Sequence, residues 1–348
     1  MKNALKIRTG LLTLIAPLTL ALSGGAHAQT RTLTVSTFGL NQALFDKNVT
    51  VPFEAKCGCK LVYEVGNTSD RLAKLDARRA NPNIDLALLS SAAALEASQK
   101  GLLDVINPAK LSNYSRLYDF AKDPIGGHYA VGYTVYSVGL VYRTDKVRNF
   151  KSWQDLWRPD LKGRIALPNI TTTQGPLTLM MANAAWNGPD ADFATGLQKL
   201  AAVKGNIVTL YNQSAQLASL FAQEEIWAAP APRFVWGNLQ KTGLPLRWLV
   251  PAEGQAADVN VMTLVKGSKN NDLAYQLMDF WLSKDVQTNL ANDLADSPAN
   301  KTVLISADKG NLLTYGVRQI RSLKFLSPAQ QLKQRTDWVE FWNKNVAR

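Results

Sequence analysis

Short apolar runs alternate with amphipathic stretches along almost the whole chain, and that alternation confines it to an α/β architecture. Thr32 to Ser36 (TLTVS) reads as a strand. Residues 52–56 close a first helical region, and Lys60 to Val65 (KLVYEV) is a second strand. Asp70 to Ala80 has helical composition, with Leu72, Leu75 and Arg79 dividing an apolar from a charged face. Asn81-Pro82-Asn83 breaks that helix, and Ile84 to Leu89 (IDLALL) follows as a strand of the buried type. The same pattern returns with strands at 164–167, 206–210 and 226–229, and an extended run at 246–250. Helices are expected at 177–186, 215–223 and 233–241. A strand at 259–265 leads to helices at 271–282 and 284–294. The chain ends in a helical segment, Pro328 to Asn345, whose apolar face is Trp338, Phe341 and Trp342.

One segment stands apart. Tyr129 to Tyr142 (YAVGYTVYSVGLVY) is a long β-prone stretch with Gly132 and Gly139 inside it. It reads either as one strand passing between neighbouring sheets, with the glycines relieving the bend, or as an ordinary hairpin. No internal repeat or low-complexity linker is present, so two lobes joined by continuous strands fit better than two domains on a tether.

The N-terminus points to export. Lys2, Lys6 and Arg8 form a positive region, Leu11 to Leu22 an apolar stretch, and Ala26-His27-Ala28 a small-x-small cleavage signal that starts the mature chain at Gln29. The apolar stretch is short for a bilayer core of about 30 Å, although a retained anchor is the alternative reading. No cysteine near the cleavage site offers a lipid anchor. Removing three cations and no acids takes the formal charge from +12 to +9. Lys and Arg are scattered rather than gathered into a stripe with aromatics, which argues for a solvated basic surface and against a nucleic-acid partner. Cys57 and Cys59 are the only cysteines. With one residue between them a disulfide is tight, and free or intermolecularly paired thiols are the other readings.

Catalytic signatures are missing from the sequence. His128, beside Gly126-Gly127, is the one histidine of the mature chain, which leaves no zinc-ligand pattern. No Gly-x-Ser-x-Gly elbow and no phosphate-cradling glycine motif occurs. Glu224-Glu225 could supply the two carboxylates of a glycosidase, but adjacent acids at a helix end are usually solvated. No cofactor or metal is expected. In open α/β sheets ligands bind beyond the carboxyl ends of strands. Those positions here are Thr37-Phe38-Gly39, Ser90-Ser91, Asn169 to Gln174, Asn212-Gln213-Ser214 and Pro230 to Trp236. Hydroxyls, amides and aromatics dominate the set, which suits holding a small polar solute without converting it.

The mature chain resembles the spermidine/putrescine-binding proteins of ABC importers, within the wider class of extracellular solute-binding proteins. The likeness rests on Ser152 to Pro168 (SWQDLWRPDLKGRIALP), similar to the block that opens the second lobe in that family. It also rests on Phe53 to Lys56, Cys59 to Glu64, Asp70 to Leu75, Gly139 to Lys146, Val265 to Leu282 and Ser297-Pro-Ala-Asn-Lys301. The resemblance implies a two-lobed periplasmic-binding-protein fold of type II, with crossover strands near 133–140 and 260–264, and hinge closure on the ligand. The domain expectation is 29–132 with 261–310 as the first lobe, 133–260 as the second, and 311–348 as C-terminal helices packed on both. A periplasmic, monomeric capture protein is implied, which docks on the permease subunits of the inner membrane.

The family's binding residues carry over less completely. A family acid on the strand re-entering the first lobe corresponds to Asn260, two residues after Asp258, and an acidic cluster at a helix start corresponds to Thr171-Thr-Thr-Gln174. Trp236 stands at the place of a cleft tryptophan, with Arg233 close by. The candidate ligand-binding set is Phe38, Gln42, Ser90, Ser91, Tyr133, Tyr136, Thr172, Thr173, Gln174, Asn212, Arg233, Trp236, Asp258 and Asn260. A buried dication needs carboxylates, and Asp258 and Glu253 are the candidates. A threonine-capped helix start and Arg233 would instead suit an anion. For these features the plainer readings are simple N-capping and a surface salt bridge. A polyamine or amino-acid-like amine is the first expectation, and an anionic solute such as a phosphonate or carboxylate the alternative. The adjacent tyrosine pair used by ferric-ion-binding relatives is absent.

Overall fold

A computed structural model describes residues 30–39, 41–188 and 192–347, and the elements named below belong to the unit Arg31–Arg348. The leader expected at 1–28 and its cleavage before Gln29 lie outside the described residues. The chain begins with β1 (Thr32–Thr37), α1 (Gln42–Phe45), α2 (Val51–Cys57), β2 (Lys60–Val65), α3 (Thr68–Ala77), β3 (Leu86–Ser90) and α4 (Ser91–Gln99). A two-residue β4 (Leu103–Asp104) and the short α5 (Asp119–Lys122) lead to β5 (Val131–Arg143). Then come β6 (Ile165–Pro168), α6 (Gln174–Ala185), α7 (Ala194–Ala202), β7 (Ile207–Tyr211), α8 (Gln216–Ala222), β8 (Ala228–Pro232), α9 (Trp236–Gln240) and β9 (Leu246–Leu249). β10 (Gln255–Val265) returns the chain to α10 (Asn271–Trp281) and α11 (Lys284–Asn292). After α12 (Ala307–Gly310), α13 (Val317–Arg321) and β11 (Leu323–Phe325), α14 (Pro328–Asn345) ends it.

The strands run in the order β2-β1-β3-β10-β5-β8-β6-β7. β1, β2 and β3 are mutually parallel, as are β6, β7 and β8, which is what alternating strand-helix sequence produces. β5 and β10 join the two groups. They pair antiparallel with each other; β10 continues against β3, and β5 continues against β8 and β9. Tyr129 to Tyr142 is therefore no hairpin. Its thirteen-residue strand is buried throughout and crosses from one group to the other. The two glycines serve close approach: a Cβ on Gly132 would stand 2.5 Å from the Val259 side chain, and one on Gly139 2.8 Å from the Leu249 carbonyl. Register slips between Asn260 and Val261, whose partners are Thr134 and Gly132, leaving Tyr133 unmatched, as at a β-bulge.

Side-chain alternation on these strands builds separate cores on either side of the crossover. Leu33, Val35, Leu86, Leu88, Met262 and Leu264 point into one cluster with Phe45, Phe53 and Trp281, while Ala87, Leu89, Val259 and Val261 point into another under α4. Beyond the crossover, Val138, Leu140, Ile165 and Leu167 pack with Trp153 and α6, and Ala166, Ala229 and Ala231 pack with Phe221 and Trp236. Trp338 and Trp342 of α14 sink into the core around α6.

Cys57 and Cys59 form a disulfide, with Gly58 between them in the left-handed conformation at φ 62°. Glycine alone takes that φ without strain, so the tight closure is met by the residue best suited to it. Among the described residues no helix is long and apolar enough to cross a membrane, and no group of His, Cys, Asp and Glu could hold a metal ion.

Candidate functional site

The carboxyl ends of the parallel strands from both groups meet at a cleft. β1 delivers Phe38, β3 delivers Ser90, β6 delivers residues 170–174 and β7 delivers Asn212 and Gln213, as open α/β sheets arrange their ligand loops. An inner chamber of about 440 Å³ is lined by Phe38, Ser90, Tyr136, Thr173, Gln174, Asn212 and Asn260 among others. An outer compartment of about 570 Å³ adjoins it, sharing Phe38, Ser90, Thr173, Gln174 and Asn212 and adding Thr172. Both volumes suit small organic molecules.

Local structure accounts for the walls. Ser90 ends β3 and caps α4, its hydroxyl accepting from the Ala93 amide at 3.4 Å. Thr172 is used locally: its hydroxyl donates to the Asn169 carbonyl at 2.7 Å and accepts from the Gly175 amide at 3.1 Å. The threonine run is thus a folded turn that presents Thr173 and Gln174. Tyr136 packs edge-on against Phe234 at 5.6 Å, and its buried hydroxyl lies near Asp258 and Thr173. Burial and the nearby Asp258 hold the Tyr136 hydroxyl well above the usual phenol range.

Six residues of the expected set lie off the cleft wall. Gln42 turns its amide to Asp46 at 2.9 Å along α1. Tyr133 packs in the first core against Trp281 at 5.3 Å. Ser91 and Asp258 satisfy each other behind the wall: the Ser91 hydroxyl donates to the Asp258 carboxylate at 2.6 Å, and the Val259 amide donates to it at 2.8 Å. Desolvation pushes the Asp258 carboxyl up to about 6, with Ser91 and Val259 opposing the rise. Arg233 is neither a cleft anion site nor a surface salt bridge. Its guanidinium packs on Trp248 at 4.5 Å and donates to the Asn311 carbonyl, and burial lowers it to about 10. Trp236 packs against the same Trp248 at 6.0 Å. The aromatic this segment offers the cleft is Phe234, which lines the chamber together with Val235, whereas Trp236 packs on Trp248. Glu253 accepts from Ser152 and from the Trp153 amide, which makes it a structural acceptor.

Two residues that the sequence did not single out carry the chamber's charge. Among the described residues lining it, Arg71 is the one cation and Asp296 the one carboxylate. Arg71 rises from the first turns of α3, 1 % exposed, with one amine donating to the Leu88 carbonyl and its Nε unpartnered. Gly66 makes room for it, since a Cβ there would stand 3.2 Å from the Arg71 Cγ. The guanidinium lies 5.8 Å from the centre of the Phe38 ring, and burial lowers its pKa. Asp296 sits just after α11, with a buried, unpartnered Oδ2. Desolvation pushes its carboxyl up to about 8, against a smaller opposing pull from the Thr134 hydroxyl. Arg71 was legible only as part of a charged helical face, and Asp296 stands one residue before the Ser297–Lys301 block.

Comparison with known proteins places this architecture. Residues 48–311 match the family described as bacterial extracellular solute-binding protein. The putrescine-binding periplasmic protein of Escherichia coli is 25% identical over 325 residues, covering 84% of this chain and 86% of that one. An ABC transporter structure from Clostridium perfringens superposes with a TM-score of 0.80 at 34% identity, covering 90% of this chain and 99% of that one. The spermidine/putrescine substrate-binding protein of Streptococcus pneumoniae shares the fold, with a TM-score of 0.73 at 17% identity over 91% of this chain and 100% of that one. With its two α/β lobes, paired crossover strands and a polar cleft between them, this chain belongs to the bacterial extracellular solute-binding proteins, the substrate-binding components of ABC transporters.

Proposed function

We propose that this protein captures a small polar organic solute bearing an amino group, a polyamine or an amino-acid-like amine, in the chamber between Phe38 and Phe234. The observation that carries this reading is Asp296, the one carboxylate among the described residues lining the chamber, with a buried Oδ2 that no described group meets. An ammonium would complete it. Relatives named for putrescine support the same reading. An anionic solute is the second reading, and the specific observation in its favour is Arg71 on the same wall.

Capture proceeds by closure of the two lobes about β5 and β10, with lobe boundaries near Gly132 and Asn260 and the C-terminal segment from 311 spanning both. The closed form docks on permease subunits. The protein works as a monomer in the periplasm after its leader is removed near Ala28, binds no nucleic acid, and releases its solute unchanged. Native mass spectrometry of protein purified without refolding tests this. A retained small amine is expected, with a melting temperature that rises as free solute is added, by about 2.7 kcal/mol of stabilisation at a hundredfold excess over Kd. Multiple turnovers to a chemically altered product would refute it.

A further inference from the structure

Arg71 and Asp296 line the same chamber, yet they do not pair with each other. Neither takes part in any ion pair within 4.0 Å among the described residues. Each keeps a buried polar atom without a partner, the Arg71 Nε and the Asp296 Oδ2. Behind the wall, the buried Tyr133 hydroxyl is raised by Asp296 and lowered by Arg71, so both lie near it. A guanidinium and a carboxyl that each keep an unsatisfied buried atom in a desolvated cleft are costly unless a third party completes both.

We propose that this third party is the solute and that it is a zwitterion, with an oxyanion seated on Arg71 and an ammonium on Asp296. The inference rests on the chamber being the capture site, and it selects among the solutes that reading admits. A dication would bring one ammonium against Arg71, whose face is already covered by Phe38. A simple anion would leave Asp296 without a counter-charge. A zwitterion satisfies both groups at once, and the planar guanidinium suits a carboxylate or a phosphonate equally. In the same chamber the Tyr136 and Phe234 rings supply apolar surface for a short methylene chain.

Isothermal titration of the wild type against glycine, 4-aminobutyrate, 3-aminopropylphosphonate, putrescine and butyrate tests the proposal, and the two longer zwitterions separate carboxylate from phosphonate. At least one zwitterion should bind thirtyfold or more tighter than putrescine and butyrate. Arg71→Gln and Asp296→Asn should each weaken it tenfold or more. Putrescine or butyrate binding as tightly as any zwitterion would overturn the proposal, as would undiminished zwitterion binding in both folded variants. The wild-type ranking decides the matter even where Arg71→Gln, which strips the Leu88 carbonyl of its donor, fails to fold. If none of the five probes binds, native mass spectrometry of the retained solute decides. A retained zwitterion supports the proposal, and a retained solute of another class overturns it while the capture reading stands. Protein that binds no probe and retains no solute overturns both.

Discussion

Arg335 on α14 lies 3.4 Å from Glu96 on α4, an ion pair that ties a helix anchored in the core around α6 to α4. Gln331, Leu332 and Arg335 form part of the outer compartment's rim opposite Ala92, Ala93 and Glu96, so the C-terminal helix straps the cleft mouth. Its anchorage is unequal. Trp338 is 2 % exposed, stacks on Phe193 at 5.6 Å and donates from Nε1 to the Asp192 carbonyl at 2.9 Å. Truncating a buried tryptophan costs about 3–5 kcal/mol, whereas an exposed ion pair contributes about 0–1 kcal/mol. In urea unfolding, Trp338→Ala should therefore lower stability by several kcal/mol and Arg335→Ala by under one. Equal losses would show that the strap depends on its ion pair.

Asp258 faces Tyr136 across the β10–β5 pairing, but its carboxylate is spent on Ser91 and the Val259 amide. Its substitution should act on stability rather than on binding. A carboxyl raised in the folded state holds its proton longer than in the unfolded chain, so stability falls as pH rises between the ordinary value and the raised one. With 3.8 as the ordinary value and about 6 folded, the window is about pH 4–6 and the loss at most about 3 kcal/mol. Asp258→Asn should remove that component of the decline, measured as urea midpoints at pH 4, 5 and 6. A variant with an unchanged slope would show that Asp258 does not titrate in this window.

Much of this architecture was legible in the sequence because it is periodic. Parallel strands flanked by helices announce themselves through apolar runs, and the crossover strand through its length between Tyr129 and Tyr142. Strand ends also located part of the cleft wall, since Ser90 ends a strand and Phe38, Thr173 and Asn212 follow strands. Charge was harder to read. Only the fold decides that Phe234 and not Trp236 lines the chamber, and only the fold turns Arg233 toward Trp248. Arg71 and Asp296 are 225 positions apart, on α3 and after α11, so nothing local marks them as neighbours of one cavity.

The turn carrying Thr173 and Gln174 tolerates no side chain at Gly175. A Cβ there would stand 2.4 Å from the Asn169 carbonyl oxygen and 2.5 Å from the Ile170 Cα, both backbone atoms that cannot rotate away. Gly175→Ala should cost about 1–3 kcal/mol, the usual penalty of overpacking. It should also weaken solute binding, because relief of the clash moves Thr173 and Gln174. Gly205→Ala is the control: nothing lies within 4 Å of its Cβ and its φ is ordinary, so it should be neutral or slightly stabilising. Thermal unfolding of the pair checks the contrast, and equal melting temperatures would contradict it.

Asp296 also sets a pH dependence for binding. Its carboxyl, pushed up to about 8 by desolvation, carries a proton in the empty protein at neutral pH. Arg71, Tyr133 and Thr134 lie near this carboxyl, and the two nearby tyrosines, Tyr133 in the core and Tyr136 on the wall, stay protonated because burial raises both. An ammonium needs the carboxylate, so binding an amine or a zwitterion below pH 8 must release a proton. Affinity should then rise with pH, by up to tenfold per unit between about pH 6 and pH 8, and level off above. Titration in buffers of different ionisation enthalpy should show close to one proton released per solute at pH 6. Asp296→Asn should abolish both the slope and the release. A solute seated on Arg71 alone predicts the opposite behaviour, because Asp296 then keeps its proton on binding and affinity falls as the carboxylate forms. A falling affinity between pH 6 and pH 8 would therefore remove the ammonium from Asp296.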